Sequence, residues 1–464
     1  MGRVIALLVV VLLLTAATPA RAQDAEVRVM TFNIWLGGDV VDFGNVIAAI
    51  HASQADIVGL QEAEGNTRRV ALALGWPYWS DRLHVVSRYP LIDPPAARGE
   101  YVLAQVAPGR VFALANVHLT SDPYGPYLVR DGRSLARVLA NERATRLPEI
   151  RHTLRALPRG VPTFITGDFN TPSHLDWPTV PWPVTRAVER AGFRDTYRVA
   201  HPDPVATPGI TWTFGYPFPR LNADEVVDRI DMVHATAGVE VLASGIAGPP
   251  GTRDVTFPID PYPSDHRAVV STVRFTPAVP GPFASVLHRR VERGDSIGVR
   301  YAAPRGEAVD RLSIVRGGGP PRGALMTLPP HEASFYGSVT FGSGGLRPGR
   351  YDALLVTRRN RVLSRSRFWV VRNGAQPRVR ARQRGRRVRV AWHNAPAYRR
   401  DWVGIWKAGD VDLYNDYLTF AYTGATVAGS TTIAGLKPGR YVARLMKDDG
   451  YAELAKTSFR VAAP

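Results

Sequence analysis

Apolar and polar positions alternate in short runs through the first 275 residues, and stretches of helical spacing separate the runs. Val27 to Ile34 alternates and then stops at Gly37-Gly38, the mark of a strand closed by a turn. Between Asp42 and Ser53, Val46, Ile47, Ala49 and Ile50 fall on one helical stripe. Asp56 to Leu60, Val111 to Val117, Pro162 to Thr166, Arg229 to His234 and Arg267 to Phe275 read as further strands. Asp131 to Leu157, rich in Arg, Leu and Ala, predicts one long helix. Each of these strands ends in a polar cluster.

After a Pro/Gly-rich linker at 276–284 the pattern turns to strands alone. Gly345-Leu346-Arg347-Pro348-Gly349-Arg350-Tyr351 recurs as Gly435-Leu436-Lys437-Pro438-Gly439-Arg440-Tyr441, six identities in seven. Asp310 to Val315 likewise parallels Asp401 to Trp406. A period of about 90 residues is too long for a solenoid unit. It predicts two β-sandwich modules in tandem, 285–373 and 374–464, behind a first domain at 23–275.

Charge divides the chain at the same place. Residues 1–283 hold 26 basic and 27 acidic side chains, whereas residues 284–464 hold 32 and 13. The whole formal excess of +18 therefore belongs to the two modules. Arg378, Arg380, Arg382, Arg384, Arg386, Arg387 and Arg389 nearly alternate. On a strand that spacing gives either a basic ladder for an anionic partner or an edge protected from pairing by charge. The absence of cysteine excludes disulfides, thiolate metal sites and a cysteine nucleophile.

The N-terminus has the form of a processing segment. Arg3 precedes an apolar run from Val4 to Leu14, and Ala20-Arg21-Ala22 follows as a small-x-small cleavage site. This predicts a signal peptide over 1–22, cleaved after Ala22, and a secreted or periplasmic protein. The run is shorter than the ~20 residues that span a bilayer.

The polar clusters at the strand ends carry the candidate chemistry. They are Asn33, Gln61-Glu62, His118, Asp168 with Asn170, Asp231, and Asp265-His266. A phosphoester resists attack because its own oxygens repel a nucleophile, so hydrolysis needs a hard cation, an activated water and donors for the growing charge. Glu62, Asp265 and Asn33 offer oxygen ligands for such a cation. Asp168 could orient and deprotonate a water, with the Asn170 amide holding it or a phosphate oxygen. Asp231 could bond one nitrogen of His266 so that the other faces the phosphate, and His118 is a second donor.

In this order the segments Thr-Phe-Asn33-Ile, Leu-Gln-Glu62, Ser87-Arg88-Tyr89-Pro90, Asn-Val-His118-Leu, Gly-Asp168-Phe-Asn170, Arg-Ile-Asp231 and Ser-Asp265-His266 resemble a known family. It is the endonuclease/exonuclease/phosphatase superfamily of metal-dependent phosphoesterases, and the likeness covers Val27 to about Phe275. The resemblance implies a four-layer α/β sandwich, two mixed sheets face to face with helices outside, and so an α+β chain once the all-β modules are added. It also implies Glu62 as principal metal ligand, Asp168 and Asn170 near the nucleophilic water, and an Asp231–His266 pair at the phosphate. Thr171 stands where the inositol phosphatases of the family carry a basic residue, whereas His118 is similar to the deoxyribonuclease and sphingomyelinase branch. Thr171 to Trp177, Tyr124 to Tyr127 and Trp212 to Phe214 either line a substrate cleft or pack as core.

These readings converge on an exported phosphoesterase dependent on Mg²⁺, with Mn²⁺ as the alternative ion. It would hydrolyse a phosphodiester or phosphomonoester of nuclease or sphingomyelinase type. Its substrate would be nucleic acid or a phospholipid head group, and the basic modules would hold it at an anionic surface. The rival is a binding protein for nucleic acid or anionic surfaces whose phosphoesterase domain is vestigial.

Overall fold

The computed structural model describes residues 23–303, 309–330, 336–398, 400–413, 416–448 and 450–462, and the expected signal peptide lies outside them. Before residue 276 the strands are β1 (Ala25–Asn33), β2 (Ile57–Gln61), β3 (Tyr78–Ser80), β4 (Val85–Ser87), β5 (Leu91–Ile92), β6 (Val102–Ala107) and β7 (Arg110–His118). They continue as β8 (Thr163–Asp168), β9 (Phe193–Asp195), β10 (Asp231–Thr236), β11 (Glu240–Gly248), β12 (Phe257–Pro258) and β13 (Ala268–Phe275). One mixed sheet runs β12-β11-β13-β1-β2-β4-β3, and the other runs β5-β6-β7-β8-β10-β9. The parallel pairs β1–β2 and β7–β8 lie in the middle of each.

Side-chain alternation decides what meets between the sheets. The inward faces are Val27, Val29, Thr31 and Asn33 on β1, Phe112, Leu114, Asn116 and His118 on β7, and Phe164, Thr166 and Asp168 on β8. β10 runs the other way and reads Ala235, Val233, Asp231. Every inward row thus passes from apolar, through a polar residue where the row is long enough, to a candidate catalytic group at one common rim. The opposite face of the first sheet, with Met30, Phe32, Val58 and Leu60, packs against α1 (Phe43–Ala52) and α2 (Thr67–Ala73). Beyond the second sheet, α3 (Gly125–Arg130) and α4 (Leu135–Ala144) precede α5 (Arg146–Ala156) and α6 (Pro183–Arg190), and the last two cover that sheet. These are the four layers that the motif order implied.

The long helix expected over Asp131 to Leu157 is in fact two, broken at Thr145 (φ −107°, ψ −91°). Pro148 explains the break, because it has no N–H to give and its ring conflicts with the carbonyl of Ala144. Arg146, at the break, is fully buried and bonds Glu142 at 3.1 Å and the Pro123 carbonyl at 3.0 Å.

The rest of the described chain is all β apart from one 3₁₀ turn: β14 (Phe283–Val286), β15 (Arg290–Glu292), β16 (Ser296–Ala302), β17 (Val309–Arg316), β18 (Met326–Leu328), β19 (Tyr336–Gly342), β20 (Gly349–Thr357) and β21 (Val362–Val371). Sheets β14-β16-β19 and β15-β21-β20-β17-β18 enclose one core. A second core lies between β22-β23-β26 and β25-β24-β27-β28, formed by β22 (Arg378–Arg384), β23 (Arg387–His393), β24 (Trp402–Lys407), β25 (Thr419–Tyr422), β26 (Gly429–Ala434), β27 (Gly439–Met446) and β28 (Glu453–Val461). The sequence repeat is a structural repeat. The Tyr351 hydroxyl donates to the Arg347 carbonyl at 2.6 Å, and Tyr441 does the same to Lys437 at 2.7 Å. Each ring then stacks on a phenylalanine, Phe368 or Phe459.

The stretch 276–284 is tied down along its length. Val111 and Ala278 exchange two backbone hydrogen bonds, and β14 has already begun at Phe283. The second sandwich also touches the first domain: His84 Nε2 lies 2.8 Å from Asp448 Oδ1, and both side chains are buried.

Candidate active site

The register of the second sheet puts His118, Asp168 and Asp231 side by side on β7, β8 and β10. His118 Nε2 lies 3.6 Å from Asp168 Oδ2, and His266 Nε2 approaches the same oxygen at 3.8 Å. His266 Nδ1 bonds Asp231 Oδ2 at 2.9 Å. Burial by itself would lower the His266 pKa, but the carboxylates of Asp231 and Asp168 push it up to about 10. The two carboxylates thus favour the charged imidazole, which bonds Asp231 through Nδ1 and leaves Nε2 toward Asp168 beyond hydrogen-bond distance. Asp231 is fixed in turn by Thr211, whose hydroxyl accepts the N–H groups of Ile230 and Asp231, each at 3.0 Å. Arg229, fully buried, pairs with Asp176 at 2.8 Å and Asp195 at 2.6 Å.

The first sheet brings the remaining groups. Asn33 Nδ2 donates to Glu62 Oε1 at 3.1 Å and to Asp168 Oδ2 at 3.2 Å, while its amide oxygen accepts the Trp35 N–H. Asn33, expected to offer its oxygen to a metal, thus bridges two carboxylates with its nitrogen. Glu62 Oε2 accepts the Leu36 N–H, and Gly37 N donates to the Glu62 carbonyl. The Asn170 N–H bonds Asp168 Oδ1 at 2.9 Å, and its amide nitrogen donates to the Leu119 carbonyl. Asp265 and His266 are set by Ser264, which donates to the Asn33 carbonyl and accepts the His266 N–H. Trp35, Leu36, Glu62, Glu64 and Asn170 all hold positive φ. Non-glycine residues in that region gather where function over-determines the backbone.

The donor set fits a hard divalent cation. Asp168, Asp231 and His266 present atoms within 4.8 Å of one another, but a protonated imidazole has no lone pair to give a metal. The carboxylates are the better donors. Asp265 is pushed up to about 7, chiefly by burial, against the opposing pull of His266, with smaller contributions in the same upward direction from Glu62 and Asp168. That is the behaviour of a carboxylate group short of positive charge, in a site with no thiol.

Glu62, His118, Asp168, Asn170, Asp265 and His266 open on one cleft of about 1060 Å³, whereas Asn33 and Asp231 do not line it. Tyr124, Tyr127 and Trp212 line it, whereas Thr171 to Trp177 does not, and Trp177 packs on Trp182. Trp35 and Tyr216 join the lining without having stood out in the sequence, as do Trp402, Tyr417, Phe420, Tyr422 and Tyr451 from the second sandwich.

Residues 30–266 match the model of the Endonuclease/Exonuclease/phosphatase family. An uncharacterised protein of Caenorhabditis elegans is 34% identical over 292 residues, 54% of this chain and 91% of that protein. Among solved structures, an endonuclease/exonuclease/phosphatase from Beutenbergia cavernae is similar at 17% identity and a TM-score of 0.37, covering 94% of this chain and 100% of its own. A mannosyl-6-phosphatase from Bacteroides thetaiotaomicron is similar at 14% identity and a TM-score of 0.31, over 53% of this chain and 99% of its own. The chain belongs to the endonuclease/exonuclease/phosphatase family and is a phosphoester hydrolase of phosphoesterase or nuclease type.

Proposed function

We propose that the protein is an exported, metal-dependent phosphoesterase that drives a water onto the phosphorus of a diester or monoester, with Mg²⁺ as its ion and Mn²⁺ as the alternative. The observation that supports this best is the Asp168 carboxylate, ringed by His118, His266 and Asn33 at 3.2–3.8 Å on the rim of the cleft that Glu62 and Asp265 share. Glu62 and Asp265, with the Asn33 amide turned to present its oxygen, would hold the ion. When bound, it would draw charge from a phosphate oxygen. Asp168 accepts the proton of the attacking water. His266, kept protonated by Asp231, donates from Nε2 to the scissile phosphate and passes a proton to the ester oxygen as the P–O bond breaks, so that the group leaves as its alcohol. His118 is the second donor.

Glu62→Ala and His266→Ala are each expected to lower turnover by at least ~10²-fold, the scale of losing one group that stabilises the transition state. Circular dichroism should stay unchanged, and EDTA should silence the wild type. Undiminished turnover in either variant, or full activity in EDTA, would sink the mechanism. Duplex DNA, RNA, sphingomyelin and inositol phosphates form the substrate panel. Export rests on Arg3, the Val4–Leu14 run and Ala20-Arg21-Ala22, and the protein recovered outside the cell is expected to begin at Gln23.

A further inference from the structure

One sheet face of the second sandwich behaves unlike an ordinary solvent face. On β24 the residues Val403 and Ile405 point into the sandwich core, so Trp402, Gly404 and Trp406 share the outer side. Pairing aligns Trp402 with Tyr422 and Gly404 with Phe420 on the edge strand β25. Gly404 is the residue that lets this face close, since a Cβ there would lie 2.5–2.6 Å from the rings of Trp402 and Trp406. Trp402 then meets Tyr417, Phe420 and Tyr451 with ring centroids 5.8 Å apart. Phe420 and Tyr422 nevertheless remain 41% and 45% exposed.

This aromatic face is one wall of the cleft that holds Asp168 and His266. It is anchored beside Glu62. Gly450 lies so close to Glu64 that a Cβ would fall 1.9 Å from Oε2, and a Cβ on Gly65 would fall 2.7 Å from Lys447 Nζ. The Trp402 indole N–H donates to the Gly450 carbonyl at 3.1 Å, tying wall to anchor. Around the phosphate site the cleft adds Glu64, Glu100, Asp122 and Glu149, against Arg98, Arg400 and His152. Such a lining repels the further phosphates of a polyanion. Its volume suits one phosphate and the group attached to it.

We propose that the outer face of β24 and β25 is the subsite for the organic group of the phosphoester, and that this group presents an uncharged ring to Phe420 and Tyr422. The assignment rests on the phosphoesterase reading and names the class of its substrate: a phosphate ester of a ring-bearing alcohol. A flat ring gains dispersion and quadrupole contacts from aromatic faces that a flexible chain of equal area does not. Nucleoside esters carry such a flat ring in the base, and sugar and cyclitol esters present instead a puckered ring whose C–H faces pack on the same aromatics.

Three non-hydrolysable probes test it on the full mature chain in Mg²⁺, by calorimetry: methylphosphonate, phenylphosphonate and hexylphosphonate. The wild type is expected to bind phenylphosphonate roughly fivefold to tenfold more tightly than methylphosphonate, the scale of one aromatic contact. The Phe420→Ala/Tyr422→Ala double variant should lose that ratio and hold methylphosphonate as before, with its circular dichroism spectrum unchanged. An unchanged ratio in the variant would overturn the subsite. Tighter binding of hexylphosphonate than of phenylphosphonate would replace the ring with a lipid chain. Failure of all three probes to bind the wild type would instead overturn the phosphate site itself.

Discussion

At the scale of single residues, the site depends on groups that perform no chemistry. Gln61 Nε2 donates to Asn116 Oδ1 at 2.7 Å, and Asn116 Nδ2 donates to the carbonyls of Leu60 and Leu83. Thr31 and Thr166 complete this buried bridge between the two sheets. Gly59 makes room for it, since a Cβ there would lie 2.1 Å from Thr166 Oγ1 and 2.3 Å from Asn116 Oδ1. Gly59→Ala is therefore expected to cost about 1–3 kcal/mol through overpacking, with more if Asn116 loses a partner. Urea denaturation would show the midpoint falling, and an unshifted midpoint would contradict the account. Asn33, Glu62, His118, Asp168, Asp231 and His266 could be singled out from sequence because each stands in a short motif at, or within two residues of, a strand's end. Thr211 and the Arg229 network were not, because their roles depend on contacts 20 to 53 positions away.

At the scale of elements, the pattern of alternating and short apolar runs carried most of the fold. It marked β1, β2, β7, β8, β10 and β13, whose buried runs are long. The two-residue β5 and the three-residue β3, β4 and β9 are too short for any period to show. The arginine ladder is also an element-scale feature. Arg378, Arg380, Arg382 and Arg384 lie exposed on β22, and Arg387 and Arg389 extend them onto β23, while Arg386 sits in the turn between. Arg382 faces Arg389 and Arg384 faces Arg387 directly, and among the described residues none of the six has an acidic partner. Like charges set opposite each other cost stability. β22 is an edge strand, so charge guards its pairing, but the continuation onto the inner strand β23 is more than edge protection needs. An anionic surface is the proposed partner. Replacing Arg382 and Arg389 with Ser should weaken binding to anionic vesicles or DNA and flatten its salt dependence by about two charges, with turnover of a small ester unchanged. Wild-type indifference to both at low salt would make the charge compositional.

At the scale of the whole molecule, the second sandwich has two opposed outer faces, the ladder on one sheet and the aromatic wall on the other. Its docking against the first domain buries Asp448 and Asp401 with Asp81, His84, Lys447 and Tyr398 nearby. Asp401 is pushed up to about 7, first by burial and then by Asp448, and Asp81 is raised for the same two reasons. Unfolded aspartates titrate near ~3.9, so the folded protein holds extra protons between about pH 4 and pH 7. The stability linked to them is complete below the lower value and is lost as the pH rises through the upper one. Asp448→Asn keeps an oxygen for His84 and puts the amide where Oδ2 has no partner. The melting temperature of this variant, relative to wild type, is expected to rise between pH 5.5 and pH 8. A difference that stays flat or falls would refute the coupling.

The sequence by itself determined the local matters: alternating runs that must become strands, a repeat that must fold twice, and motifs that must end at strand tips. Backbone sterics and side-chain period act over a few residues, so a linear reading captures them. Tertiary structure alone decided that Asp168 stands between two histidines far apart in the chain, His118 at the end of β7 and His266 just before β13. It also decided that a wall more than 130 residues beyond the last catalytic motif closes the same cleft. Those outcomes depend on sheet register and domain docking, and no local pattern encodes which distant surfaces will meet.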